Sequence, residues 1–324
     1  MNNLKKLGLT ALAGSLVASS AFAGEMSVSG SAKITHASAD ETEVQGNSFS
    51  NSKGLSFSGS GELDNGWTVS TTYSMTNSAF SSSQVTIDMG DQGTVGLWNN
   101  ANGAGINKYS DVIPTAGEQV WDDSDTDDNG LPLHDNDNMI GYNGTLGGVG
   151  VSLAYVNGGS GAKEGGASDS SWALSYDGLM DGLTIGVAQG ENEEQVAVTN
   201  GNQTDSAAGA GIENTVMYAK YTFDSFTIGV QENSSDSDTA SADTDFQAFG
   251  ISYAVSEDLS VSYGMSTNDI EGGSEDQEHS AIGVSFTSGS MTISGSHHKH
   301  ENLGGSAATT ADNDAYEVNL AFAF

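Results

Sequence analysis

The chain has 324 residues, with 43 acidic side chains against eight lysines, no arginine and no cysteine, for a formal charge of −35. Without cysteine there is no disulfide framework and no thiolate metal site or nucleophile, and so anionic a chain cannot grip nucleic acid through its phosphates, which takes clustered Lys and Arg. The 43 glycines and many serines would suit disorder, but the apolar residues are placed too regularly for that.

Residues 1–23 read MNNLKKLGLTALAGSLVASSAFA, with Lys5 and Lys6 ahead of the apolar run Leu7 to Val17 and small residues ending Ala21-Phe22-Ala23. This is the pattern of a secretory signal peptide with an A-x-A cleavage site, so the mature chain, 24–324, is expected to begin at Gly24. Cleavage there removes two lysines and no acid. Nothing later approaches 18 consecutive apolar residues, which excludes a helical membrane span but not one built of strands, whose apolar residues are diluted to alternate positions.

From Glu25 onward the apolar residues alternate. Leu55, Phe57 and Gly59 enclose Ser56 and Ser58; Trp67, Val69, Thr71, Tyr73 and Met75 follow; then Val149, Val151, Leu153 and Tyr155. Phe226, Ile228 and Val230, Leu259, Val261, Tyr263 and Met265, and Ile282, Val284 and Phe286 continue the pattern. A period of two argues strands with one apolar face. Sixteen are expected, near 25–36, 53–63, 67–76, 82–89, 93–98, 138–144, 148–157, 169–177, 182–190, 213–222, 225–232, 244–255, 258–267, 278–287, 290–299 and 314–324. Residues 93–98 are short for a strand, and Thr215 to Phe223 allows either face.

Every second connection is a tight turn, such as Asp64-Asn65-Gly66, Phe223-Asp224 and Ser288-Gly289, and Asn-Gly pairs supply the positive φ that short hairpins need. The other connections are mostly long and polar; the longest, 99–137, holds both prolines. Short turns at one end and long loops at the other are the arrangement of an outer-membrane barrel. The polar face is almost all Ser, Thr, Gly and Ala, with few charges to solubilise an exterior, which suits a wet lumen and puts the aromatic and aliphatic face in lipid. Trp67, Tyr155, Tyr176, Tyr253 and Phe286 stand beside turns or loops, as interfacial girdles do. The expected fold is therefore all-β: a 16-stranded antiparallel transmembrane β-barrel.

The signal peptide, the even strand count, the long third loop and the closing stretch AYEVNLAFAF make the chain resemble the Gram-negative general diffusion porins, in particular the alphaproteobacterial ones. The resemblance implies a homotrimer of sixteen-stranded barrels in the outer membrane, each passing small ions and hydrophilic solutes and each with a third loop folded inward to narrow the channel. That loop would be 99–137. The resemblance also implies outer-membrane lipid and lipopolysaccharide as neighbours, and assembly machinery that reads Tyr316, Val318, Leu320, Phe322 and Phe324 as a terminal signal. In that reading those five face lipid, and Glu317, Asn319, Ala321 and Ala323 line water. Two departures stand out: there are no arginines to oppose acidic loop residues, and the Pro-Glu-Phe-Gly motif of enterobacterial third loops is absent.

Within 99–137, Asp111, Glu118, Asp122, Asp123, Asp125, Asp127, Asp128, Asp135 and Asp137 stand against Lys108 alone. Carboxylates crowded at a constriction concentrate cations and repel anions, so a cation-preferring channel is expected, with Lys33, Asp88, Lys220 and Glu317 on the pore wall. Asp123-x-Asp125-x-Asp127-x-Asn129-Gly130 spaces oxygens as calcium loops do, without the bidentate Glu of an EF-hand. A solvated acidic run and a loop folded around Ca²⁺ both stay open; no cofactor is otherwise required. His297-His298-Lys299-His300 reads as a polar rim or, from its clustered imidazoles, as a transition-metal site. No nucleophile and base pair emerges, so no enzymatic activity is expected. The alternatives are a substrate-selective porin and, from another class, an acidic secreted adhesin or surface-layer protein.

Overall fold

The computed structural model describes residues 26–39, 48–122, 129–131, 137–157, 168–192, 196–199, 202–207, 211–238, 243–308 and 311–324. The expected signal peptide lies outside them. The strands are β1 (Met26–Ala39), β2 (Phe49–Glu62), β3 (Thr68–Thr76), β4 (Ala79–Asp88), β5 (Thr94–Asn99), β6 (Met139–Leu146), β7 (Val149–Val156), β8 (Asp169–Tyr176) and β9 (Leu183–Asn192). There follow β10 (Val196–Thr199), β11 (Asn202–Ala207), β12 (Ile212–Phe223), β13 (Phe226–Ser237), β14 (Thr244–Ala254), β15 (Leu259–Ile270), β16 (Gln277–Ser288), β17 (Met291–Glu301) and β18 (Asn313–Ala323).

Sixteen of these close into one antiparallel barrel in which each strand pairs with its sequence neighbours, β12 following directly on β9. The seam is β1 against β18, in the register Ile34 with Leu320 and Lys33 with Ala321. Beyond it, Phe324 N–H donates to Gly30 O at 2.9 Å, extending the ladder to the last residue. Every expected strand is present within a few residues of its expected limits. The expectation left out β10 and β11, which pair with each other inside the connection between β9 and β12; short polar segments such as NQTDSA carry too little apolar alternation to announce a strand.

Closure follows from the solvent. In hydrocarbon no water satisfies an unpaired backbone group, each of which costs several kcal/mol, so a spanning sheet must have no edge. The apolar positions then face out: Val28, Ile34, Leu55, Phe57, Leu97, Ile140, Leu153, Val230, Ile282, Val284 and Val318 are all exposed. For a protein in water that would be a very large apolar surface; for a barrel in a bilayer it is the solvated face. The ambiguous β12 takes one phase, with Met217 exposed and Val216 fully buried on the inner side. At the short-turn end Tyr221, Phe223, Phe226 and Tyr253 stack in a row, with successive ring centroids 5.4, 5.5 and 4.5 Å apart. That is one arc of an interfacial girdle. The turns need the residues they have: Gly66 sits at φ +82° and Asp224 at +48°, left-handed conformations that Gly, Asn and Asp tolerate best.

Deleting Phe324 removes the last rung of the seam and an outward ring. The expected result is less folded, heat-resistant barrel on unheated gels of membrane extracts; full recovery of folded barrel would show that the last residue is dispensable.

Candidate functional site on the inner face of the barrel

The inner face is built from the residues between the outward ones. On β2 to β4 it is hydroxylic. Ser56 and Ser74 Oγ lie 2.9 Å apart and Ser58 Oγ and Thr72 Oγ1 3.3 Å apart, joining hydroxyls across the ladder. On β18, Asn319 Nδ2 donates to Glu317 Oε1 at 2.6 Å, and Thr35 Oγ1 on β1 donates to Asn319 Oδ1 at 2.6 Å.

Around most of the remaining circumference the inner face carries the described parts of the segment between β5 and β6. Its start is held by β6, β7 and β8: Gly105 N–H donates to Ser152 Oγ at 2.8 Å, Ile106 N–H to Ser171 Oγ at 3.2 Å, and Asn143 Nδ2 to Gly103 O at 2.9 Å. Its middle rests on β13 and β15. Gln231 Nε2 donates to Ser110 O at 2.7 Å, Asn233 Nδ2 to Asn129 O at 2.8 Å, and Ala116 N–H to Ser262 Oγ at 2.8 Å. Three apolar clusters back these bonds: Trp98 with Ala104, Met139 and Val156; Ile106 with Ala173, Ala188 and Val216; and Ile113, Val120 and Trp121 with Phe246 and Ala248. Trp121 is fully buried and meets Phe246 edge to face at 5.1 Å. Burying a large apolar side chain contributes about 1.5–3 kcal/mol, so the clusters hold the segment more firmly than its hydrogen bonds, at about 0.5–1.5 kcal/mol net each.

Glycines make the room. A Cβ on Gly229 would lie 2.5 Å from Pro114 Cδ, and one on Gly250 would lie 2.2 Å from Ile113 Cγ2. In the sequence these glycines looked like part of a small, wet wall. The structure gives them another task, a groove in which Ile113 and Pro114 lie. Periodicity marks them as inner-face positions but says nothing of what covers them.

The sequence-predicted residues are placed as follows. Lys33 is on the inner face of β1, its Nζ 3.9 Å from Glu118 Oε1 of the segment, a half-exposed pair worth about 0–1 kcal/mol. Asp111 is exposed; its Oδ2 accepts from Ser110 Oγ at 3.0 Å and its Oδ1 from Asn129 Nδ2 at 3.3 Å. Asp122 donates its backbone N–H to Gln119 O at 3.2 Å. Lys220 shares the inner phase of β12 with Tyr218, whose ring packs on Tyr109 of the segment at 5.0 Å. Asp88 stands at the short-turn end and accepts from Gly90 N–H at 2.9 Å, away from the segment. Glu317 is on the inner face but only 7% exposed. Asp123, Asp125, Asp127 and Asp128 lie outside the described residues, so the candidate Ca²⁺ run does too. Among the described residues no group of three or more His, Cys, Asp or Glu is arranged to hold a metal ion.

Lys108 was counted in the sequence only as the segment's single base. Its Nζ donates to Asn143 Oδ1 at 3.0 Å, and burial holds its ammonium below the usual lysine value. The rim reading of the histidine group is corrected: His298 and His300 are fully buried on the inner face of β17. His297, on the alternate phase, stacks on Tyr316 at 4.2 Å. Alternation, which assigns the other residues, also separates His297 from its neighbours.

In Gly250→Val the added methyls overpack the groove at a cost of about 1–3 kcal/mol and should lift Ile113 and Pro114 off the wall. The expected outcome is a barrel that still resists heat in detergent but conducts less per channel, because the lifted segment enters the bore; an unchanged conductance would mean the groove does not position the segment.

Residues 194–324 match a family model described as Gram-negative porin. No curated protein matches the chain. Among solved structures, a point-mutant porin of Rhodopseudomonas blastica aligns at a TM-score of 0.64 and 15% identity, covering 93% of this chain and all of that one. A loop-deleted form of OmpT, an outer-membrane protein of Vibrio cholerae, aligns at 0.65 and 13% identity over 93% of this chain and 99% of its own. The C-terminal part of the chain thus matches the Gram-negative porin model, and the barrel shares the porin fold from end to end, which supports an outer-membrane β-barrel.

Proposed function

We propose that the chain is a general diffusion channel with a preference for cations, exported by the signal peptide at 1–23 and assembled as a trimer. The observation that carries the charge preference is the segment over 99–137: nine acids and one lysine, of which Asp111 and Glu118 stand on the lumen side with Lys33 as counter-charge. A segment lying across the inner face takes up cross-section, so the free bore falls between it and the hydroxyls of β2 to β4. In such a bore carboxylates in a partly desolvated setting raise the local concentration of cations. A hydroxylic wall hydrogen-bonds passing solutes without fixing them, which suits passive, unsaturable flux. The lack of arginine removes the positive counter-wall and with it any strong transverse field. The porin fold is that of a channel, not an enzyme, and the reading assigns no catalytic step. If Asp123, Asp125 and Asp127 gather Ca²⁺, calorimetry will give a saturable heat; none would leave the acidic run simply solvated.

The test of selectivity is the zero-current potential of single channels in a KCl gradient. Cation preference is expected, weakened in Glu118→Gln and more so when Asp111→Asn is added; anion preference in the unaltered protein would overturn the proposal. Conductance arriving in threes would support the trimer.

A further inference from the structure

Two charged places on the outer wall of the barrel lack their counter-charge. One is Lys53 on β2, exposed and in the outward phase of Leu55 and Phe57. Its Nζ donates to Asn51 Oδ1, and among the described residues no carboxylate lies within ion-pair reach of it. The other is on β16 to β18. Glu278 lies directly across the ladder from Glu301, and Lys299 directly across from Asp314. Lys299 is bonded to Glu301, and like charges opposed across a ladder repel. Three carboxylates thus share one lysine. Of the described lysines only Lys53 and Lys299 face outward; Lys33, Lys108 and Lys220 belong to the lumen side.

The two places are level. Lys53 is nine residues from Glu62 and Glu278 is ten from Ser288, the turn-side ends of their strands. At about 3.4 Å per residue and a tilt of about 40°, both stand roughly 25 Å above the short turns. That is the loop-side margin of an apolar band about 25 Å tall. Below it the wall between them is apolar, with Ile34 on β1 and Tyr316 and Val318 on β18 exposed. The wall is also hollowed at both places. A groove of about 460 Å³ includes Phe49 and Lys53 in its lining, and one of about 800 Å³ includes Glu278, Lys299 and Glu301.

Their separation around the ring suits a closed assembly. The order is β2, β1, β18, β17, β16, and one strand of sixteen takes up about 22° of the circumference. The acidic patch, centred on β17, therefore stands about 68° around from Lys53. A heterologous contact closes only when the two complementary patches are set at the angle of a ring, which is about 60° for three copies and about 90° for four. A twofold pair needs one self-complementary patch, and here the opposite charges lie apart.

We propose that copies of this chain meet side by side in a threefold ring, Lys53 of one protomer lying against Glu278 and Glu301 of the next. The occupant of the acidic patch is a second copy: a phosphate-bearing lipid head would meet three carboxylates and one lysine, whereas Lys53 brings the ammonium the patch lacks. The proposal rests on the trimer reading and adds which faces meet.

The test is native mass spectrometry of the full chain extracted in mild detergent, with single-channel recording to show a folded barrel. Lys53→Glu and Glu278→Lys are each expected to lose most of the trimer and leave conducting monomers. Combined, they are expected to regain it, a recovery that general loosening of the fold would not give. Where a reversal does not assemble, Lys53→Cys with Glu278→Cys decides, since the chain has no cysteine of its own. Covalent dimers and trimers are expected under mild oxidation with both cysteines present and with neither alone. Trimers untouched by the single reversals, a double reversal that conducts but stays monomeric, or an assembled cysteine pair that gives no cross-link would overturn the interface. Trimers that persist in Lys53→Glu but shed bound lipopolysaccharide would place Lys53 against lipid and overturn it as well. An unaltered chain that conducts as a monomer would instead overturn the trimer reading beneath it.

Discussion

A membrane interior offers backbone N–H and C=O groups no water, and the rest of this structure follows from that. It forces the sixteen strands into a ring with β1 bonded to β18. It assigns each residue of a strand to one of two solvents. A chain that is strongly anionic overall can therefore end on Tyr316, Val318, Leu320, Phe322 and Phe324 without contradiction. Oil and charge alternate along the same strand and point to opposite sides of the same wall.

Inside the ring the balance differs. The lumen side is wet, and there a loop is held as in any water-soluble protein, by burying apolar side chains against a surface shaped to accept them. Trp121 and Ile113 supply the area, Phe246 and Ala248 the floor, and Gly229 and Gly250 the groove. The seat is one-sided. From β6 to β17 the inner face is largely committed to the segment, and from β2 to β4 none of the segment's described residues is hydrogen-bonded to its paired hydroxyls. Charge follows the same division, with Asp111 and Glu118 on the segment and Lys33 across from Glu118. A channel whose charge lies mainly on the inserted piece can change selectivity through that piece while the barrel stays as it is.

Period-two alternation was enough to place sixteen strands, their turns and the outward face, because every strand feels the same two solvents and repeats the same pattern. The polar phase was less legible. Gly250 and Ser56 look alike in the sequence, yet one is pressed by Ile113 and the other pairs with a neighbouring hydroxyl. The difference lies in a segment more than a hundred residues from Gly250, whose path no local rule encodes. His298 and His300 misled for a related reason. A run of histidines beside a loop suggests a rim, but alternation turns two of them inward under Val120, and only cross-strand pairing adds His279. The strands β10 and β11 were missed because they serve a connection, and a stretch such as NQTDSA lacks the apolar alternation that marks the others.

The central claim is that the described part of the 99–137 segment, with Ile113, Ala116 and Trp121, is seated on the inner wall. The chain has no cysteine of its own, so one engineered pair tests this without interference. Ala116 N–H donates to Ser262 Oγ at 2.8 Å, close enough for a bridge, which needs Cα atoms within about 7 Å. In the Ala116→Cys, Ser262→Cys protein the account predicts a disulfide under mild oxidation in the assembled barrel, with single-channel conductance unaltered by its formation. Two thiols that stay free in a folded, conducting barrel would contradict it.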